Sequence, residues 1–247
     1  MSERTNLEGR VVVVTGSSTG IGAAVAQAFA NLGVGVVVNS ASSVAAGQQV
    51  AKDLPDAIYV QADVSDPAQA ERLVDAAVEH YGRLDIVVNN AGTTVVIPHH
   101  DLDGATNEIW ERILRVNVLG AWNMTRAAAP HLRASGDGVV LNVTSIAGVR
   151  PVGSSIPYAV SKAAVNHLTV LLANALGPEI RVHAVAPGLI DTDWTESWDE
   201  IRSTVRATAP LRRSGTPDDV ADACVALVTT RYATGQVLVV DGGVTLR

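Results

Sequence analysis

A chain of 247 residues is long enough for one large domain with a well-buried core, and 47% hydrophobic with 17% charged residues marks it as globular, not disordered. A net charge of −7 with no basic block argues against nucleic acid and anionic membrane surfaces as partners. The single cysteine, Cys224, excludes an intrachain disulfide, the polar start from Met1 to Asn6 shows no signal peptide, and no apolar run reaches the ~18 residues that span a bilayer, so a cytoplasmic protein is expected.

Val11 to Val14 are four valines in a row, apolar on both faces as a central parallel strand requires. A glycine-rich turn follows, then a helix over Ala23–Leu32 that Gly33 closes. Val34–Val38 reads as the second strand, Ser43–Leu54 as a helix with Ser42 or Ser43 at its N-cap, and Ile58–Gln61 as a short third strand. Asp66 and Pro67 open a helix running to about His80, with proline in its first turn, and Leu84–Val88 is the fourth strand. Asn107–Leu132 carries one long helix or two consecutive ones, broken near Gly120 and stopped after Pro130. Gly138–Val143 is the fifth strand, Pro157–Leu176 a helix ending at Gly177 and Pro178, and Ile180–Val185 the sixth strand. Helices over Trp198–Thr208 and Pro217–Val228 follow, the second capped by Thr216, and Gln236–Val240 is the last strand. Strand and helix alternate at first with a period of 25 to 30 residues, which signals right-handed βαβ units around a parallel sheet. No linker or composition shift divides the chain, so one domain is expected.

Gly16, Gly20 and Gly22 lie between the first strand and its helix, with Ser18, Thr19 and Ile21 among them. Glycines there permit a tight turn and let backbone amides approach a pyrophosphate lying on the positive helix N-terminus. The spacing is G-x-x-x-G-x-G, not the G-x-G-x-x-G dinucleotide fingerprint. At the end of the second strand, where NAD-binding folds often place Asp or Glu, stand Asn39, Ser40 and Ala41, then Ser42 and Ser43. No carboxylate is there to repel a 2′-phosphate and no Arg or Lys to attract one. Hydroxyls and backbone amides remain to hold it, which favours NADP(H) over NAD(H).

Tyr158 and Lys162 are four residues apart and so share a helix face. A free tyrosine, with a pKa of about 10, is a poor proton donor or acceptor near neutrality, and an ammonium one turn away favours the phenolate. Ser145, at the mouth of the preceding strand, is placed to hydrogen-bond a substrate oxygen beside that hydroxyl. Thr144, Ser154 and Ser155 compete for this role; the 13-residue spacing to Tyr158 favours Ser145. His99 and His100 lack cysteine or a carboxylate cage, so no metal site is expected. Asp85 and Asp241 read as structural.

The motifs stand in one register: Thr15 with Gly16, Gly20, Ile21 and Gly22; Asp63 and Val64; Asn89 to Gly92; Asn117; Ser145; Tyr158 and Lys162; Pro187 and Gly188 with Thr192; Asp241 to Gly243. In this order and spacing nearly the whole chain resembles the short-chain dehydrogenase/reductase family, looking most like its 3-oxoacyl-[acyl-carrier-protein] reductase-like members. The resemblance implies an α/β fold, a Rossmann-type doubly wound parallel sheet of seven strands in a single domain. It implies an NAD(P)(H)-dependent oxidoreductase interconverting a ketone, 3-oxoacyl groups and acyl thioesters included, and a secondary alcohol. In that family pattern Tyr158 is the general acid or base, Lys162 lowers its pKa and holds the nicotinamide ribose, and Ser145 positions the substrate oxygen. Asn117 disturbs its helix and anchors a water leading from Lys162 to solvent. Asp63 accepts from the adenine amino group with the Val64 amide nearby, and Asn90, Ala91 and Gly92 line the adenosine ribose. Pro187, Gly188 and Ile190 face the nicotinamide, and Thr192 reaches its amide or the pyrophosphate.

Residues 189–211 hold Trp194 and Trp198 and read as a substrate lid or, equally, as packing on the domain or a neighbouring subunit. Thr93, Thr94, Val152 and Gly153 are further candidates for the pocket wall, and Arg150, Arg212 and Arg213 for contacts with a carrier phosphate at the rim. The family precedent implies a homotetramer built on the long helices and the last strand. A cofactor-sensing module without turnover, or an isomerase, dehydratase or epimerase on the same scaffold, are the competing readings. The set Asn117, Ser145, Tyr158 and Lys162 favours turnover, because a sensor needs no proton donor.

Overall fold

The computed structural model describes residues 6–246; the polar start through Thr5, on which the leader expectation rests, lies outside the described residues. The strands are β1 (Val11–Val14), β2 (Gly35–Ser40), β3 (Ala57–Gln61), β4 (Ile86–Asn89), β5 (Gly138–Val143), β6 (Ile180–Pro187) and β7 (Val237–Val240). The helices are α1 (Gly20–Ala30), α2 (Val44–Asp53), α3 (Pro67–Tyr81), α4 (Asn107–Leu114), α5 (Gly120–Ala134), α6 (Ile156–Leu176), α7 (Asp199–Thr208) and α8 (Pro217–Thr229). All seven strands are parallel, in the order β3-β2-β1-β4-β5-β6-β7.

Side-chain alternation explains why the valine run of β1 is apolar throughout. Val12 and Val14 belong to the core shared with α1 and α8, whereas Val11 and Val13 belong to the core shared with α3, α5 and α6. Both sheet faces are therefore covered, and no residue of β1 is free to be polar. The chain leaves β1 towards β2 and β3, then returns to place β4 on the other side of β1. That reversal opens a crevice at the carboxyl ends of β1 and β4, where ligands of open α/β sheets bind.

Two expectations for the long helical stretch need correction. Near Gly120 the chain does not break. It passes through a π-helical turn over Arg115–Leu119, with the Gly120 amide donating to the Arg115 carbonyl five residues back. Gly120 itself lies under Val64, whose Cγ2 would stand 2.9 Å from an added Cβ. The helix also does not stop after Pro130 but runs to Ala134. Leu132, wholly buried against the sheet, holds the last turn despite the amide hydrogen that proline lacks. Thr216 caps α8 as expected, accepting from the Asp219 amide at 3.3 Å.

Candidate active site

The glycine loop is built around close backbone approach. An added Cβ at Gly22 would collide with the Gly16 carbonyl and Asn90 Nδ2, and one at Gly16 would stand 2.9 Å from Ala91 Cα. Gly16 and Gly20 also have positive φ, +62° and +56°. Asn90 does not turn outward to a ribose. Its Nδ2 donates to the Thr15 and Gly16 carbonyls at 2.9 Å each, pinning the loop to the end of β4. Thr15 Oγ1 completes the clamp, accepting from the Asn90 and Ala91 amides at 3.0 Å. Ser18, Thr19, Gly20 and Ile21 sit at the opening of α1, where Thr19 makes no side-chain cap and no acidic residue lies in the first turn. The first amides of that helix have no partner within it and face an opening fit for an anion.

At the adenosine end Asn39 and Ser40 are committed inward. Asn39 is buried, its Oδ1 accepting from the Gly16 amide at 3.3 Å and its Nδ2 donating to Val60 and Ala62 carbonyls at 3.1 and 3.0 Å. The Ser40 hydroxyl shares a 2.8 Å bond with Tyr59. Exposed positions begin at Ala41 and continue through Ser42 and Ser43, all neutral. Asp63, half-buried, accepts from the Ser65 amide at 2.9 Å through Oδ1, while Asp66 caps α3. Asp63 Oδ2 is left without a hydrogen bond among the described residues, as an acceptor for a base would require. Val64 packs over Gly120 and its carbonyl accepts from Asn123.

β5 and α6 bring the chemistry-bearing residues together. Ser145 follows β5 and caps a short 3-10 turn over Ile146–Gly148, its Oγ accepting from the Ala147 amide at 3.1 Å. Its hydroxyl lies near enough to the Tyr158 phenol to favour the phenolate, though without a hydrogen bond of good geometry between them. Lys162 is buried; its Nζ donates to the Val143 carbonyl at 2.9 Å and lies 5.6 Å from the Tyr158 ring centre. Asn117 sits in the π turn, accepts from the Thr93 amide at 2.7 Å, and donates to the Thr93 carbonyl and Ser161 Oγ at 3.0 and 2.9 Å. Gly92 faces this group, since an added Cβ would stand 3.4 Å from Asn117 Oδ1 and 3.6 Å from Lys162 Nζ. The residues therefore leave a cradle before Gly92 lined by an ammonium and the end of β4.

Burial sets the electrostatics. It pushes the Lys162 pKa down to about 8. It also holds the Tyr158 phenol above its ordinary value, and the Ser145 hydroxyl is the group that draws it back down. The Lys162 ammonium is itself turned to the Val143 carbonyl, 5.6 Å from the Tyr158 ring centre. Ser161 escaped sequence reasoning, and Thr15, read there only as the start of the glycine motif, proves to clamp it to β4. Ser161, three residues after Tyr158 on the same helix face, donates to the Tyr158 carbonyl at 2.7 Å and links it to Asn117.

The substrate side is formed by two loops tied together. Thr94 and Ser154 hydroxyls share a 2.6 Å bond, and His99 Nε2 meets the Gly153 carbonyl at 3.1 Å. A Cβ added at Gly153 would stand 3.7 Å from Tyr158 Cδ1, so Gly153 belongs to the wall beside the phenol, while Val152 is exposed. Gly188 approaches Asp241 closely, and Pro187 ends β6. Ile190 does not face the crevice with its side chain: it is buried in the core, its Cδ1 filling the space beside Gly215. Thr192 lies across from Gly20, with 3.4 Å between its Cγ2 and an added Cβ there. Trp194 is half-exposed on the turn Asp193–Thr195. Among the described residues no cluster of His, Cys, Asp and Glu could hold a metal. None of their helices is long and apolar enough to cross a membrane.

Residues 16–245 match the family model described as enoyl-(acyl carrier protein) reductase. The chain is 60% identical over 239 residues, 96% of each chain, to a protein of Streptomyces violaceoruber named as ketoacyl reductase 2 of the granaticin polyketide synthase. It is 37% identical over 250 residues, 97% of this chain and 99% of the relative, to a 3-oxoacyl-[acyl-carrier-protein] reductase of Thermotoga maritima. A solved structure from Burkholderia xenovorans, described as a short-chain dehydrogenase/reductase, superposes with a TM-score of 0.91 at 39% identity, covering 96% of this chain and 98% of that one. With its seven parallel strands and its matches along nearly the full length, the chain belongs to the short-chain dehydrogenase/reductase family of oxidoreductases, whose members use nicotinamide dinucleotides.

Proposed function

We propose that this protein reduces a 3-oxoacyl-type ketone to a secondary alcohol with NADPH. The observation that carries the reading is the meeting of Ser145, Tyr158 and Lys162 beside Gly92, at the carboxyl edge of the strands that the glycine loop and β4 share. A nicotinamide dinucleotide supplies the hydride when bound. The α1 amides and glycine loop would receive its pyrophosphate, Asp63 its adenine, and Lys162 its ribose hydroxyls. Ser145 orients the ketone oxygen next to the Tyr158 hydroxyl. Tyr158 gives its proton to that oxygen as negative charge develops there, and Lys162 and Ser145 stabilise the phenolate that remains. The Asn117–Ser161 pair fixes the first turn of α6 so that the phenol and ammonium keep their separation.

The relatives named as ketoacyl reductases support the substrate class, including thioesters on a carrier. The test is NADPH oxidation, followed at the nicotinamide absorbance, with a panel of 3-oxoacyl thioesters and simple ketones. Turnover of the thioesters supports the reading. Tight NADPH binding with no turnover of any ketone would favour a sensor or an isomerase instead.

The neutral run Ala41, Ser42 and Ser43 supports NADPH over NADH. Because Asn39 and Ser40 are spent on internal bonds, the deciding position is Ala41. Ala41→Asp is expected to weaken NADPH about tenfold relative to NADH, by repelling a 2′-phosphate. An unchanged ratio of the two dissociation constants would remove the assignment.

A further inference from the structure

Arg202 lies on α7, whose surface is mostly solvent-facing, yet its side chain is only 15% exposed. Its guanidinium gathers four acceptors. Nε meets Asp191 Oδ1 at 2.8 Å, Nη1 meets Asp199 Oδ1 at 2.8 Å and the Glu196 carbonyl at 3.3 Å, and Nη2 meets the Thr195 carbonyl at 2.7 Å. Three of these lie before α7, so the arginine folds the helix back on the segment that leads into it. A lone exposed ion pair would contribute little, but a planar fork holding two backbone carbonyls and two carboxylates fixes a geometry.

The base of this segment is anchored. Ile190 is buried, and the Asp191 amide donates to the Gly215 carbonyl at 2.9 Å while the Gly215 amide donates to Leu189 at 2.9 Å. Beyond the base, Thr195 is the buried member of the turn. Its Oγ1 donates to the Ile190 carbonyl at 2.7 Å and receives the Thr192 amide at 3.2 Å. Thr192 faces Gly20, the first residue of α1. A continuous path thus runs from Arg202 through Thr195 and Thr192 to the glycine loop.

We propose that Arg202 is a positioning residue for the dinucleotide: it latches the turn at 192–195 so that Thr192 stays against the glycine loop at Gly20. The inference rests on the dinucleotide reading above. Losing the latch frees Thr192 from the loop and shortens cofactor retention, without touching proton transfer at Tyr158. Lysine, with one compact ammonium, cannot span the same acceptors and restores the latch only in part.

The test is NADPH titration by nucleotide fluorescence on the full chain, for the wild type, Arg202→Met, Arg202→Lys, Thr192→Ala and the Arg202→Met/Thr192→Ala double variant, with melting temperatures alongside. Arg202→Met is expected to weaken NADPH about five- to tenfold, with Arg202→Lys between it and the wild type. The double variant is expected to bind within about twofold of Thr192→Ala alone, because both changes break one path. Wild-type affinity in Arg202→Met, or losses that multiply in the double variant, would overturn the proposal. A lower melting temperature with unchanged affinity would assign Arg202 to stability alone and overturn it equally. If Arg202→Met does not fold, Arg202→Lys and Asp191→Asn carry the same comparison. A wild type that binds neither NADPH nor NADH would instead refute the dinucleotide reading itself.

Discussion

Lys162 Nζ sits 2.9 Å from the Val143 carbonyl, in surroundings dry enough to bring its pKa from 10.5 down to about 8. A lysine depressed in the folded state releases its proton first there. Its burial therefore costs stability below about pH 8, and the cost is relieved as pH rises towards the unfolded value. Lys162→Met should abolish the alkaline rise in stability between those two values, seen as the difference between the pH profiles of unfolding free energy. The same titration governs turnover, since the phenolate is stabilised by the ammonium and not by the neutral amine. We expect kcat/KM for reduction to fall above about pH 8, and Lys162→Arg, charged throughout, to remove that limb at a lower rate. A flat alkaline profile in the wild type would contradict this. The Tyr158–Lys162 pair was legible in sequence because four-residue spacing dictates a shared helix face. The inward turn of Asn39 was obscured by its polarity. Strand parity held the clue: Asn39 falls on the face of Val37, which packs under α3 and α5, and that face offers a polar side chain only backbone partners.

Among the elements, β6 carries the clearest unspent group. His183 is wholly buried and neither ring nitrogen has a hydrogen bond of good geometry. Burial, with the neighbouring Arg181 charge second, pushes its pKa down to about 4, and a weak contact with the Ala233 carbonyl offsets this only in part. Because the folded value lies below the ordinary 6.5, the neutral ring is tolerated above that pH and stability is lost as pH falls from 6.5 towards 4. His183→Leu should flatten this acid limb and leave the melting temperature at pH 7 equal or higher, as removing an unpaired buried polar group allows. A variant that keeps the full acid limb would assign it to other groups. Strand and helix order was read correctly from hydrophobic runs and caps, because those signals are local. The π turn at Arg115–Leu119 was not legible beyond a disturbance near Gly120. Gly120, which follows the turn, lies under Val64, a contact between residues far apart in the chain that no local pattern encodes.

At the scale of the whole molecule, apolar side chains stay exposed in several places. Leu119 and Trp122 stand on the π turn and α5, Val160, Val170 and Leu171 on α6, and Leu238 and Val239 on the edge strand β7. A monomer would leave these helix faces and the strand edge in water. We expect a homotetramer, read as a single mass of about four chains by light scattering after size exclusion. A stable monomer at micromolar concentration would refute it. The parallel sheet was legible because repeated βαβ units admit few topologies, whereas the substrate depends on loop contacts such as Thr94 to Ser154 that no local pattern encodes.

The account turns on the phenol as the proton donor, and Tyr158→Phe isolates it, since the change removes one hydroxyl and leaves the ring and the glycine loop in place. With NADPH and a 3-oxoacyl thioester, the variant should lose about two to four orders of magnitude in kcat while binding NADPH within about twofold of the wild type. A Tyr158→Phe protein that keeps most of its turnover would contradict the assignment of the site.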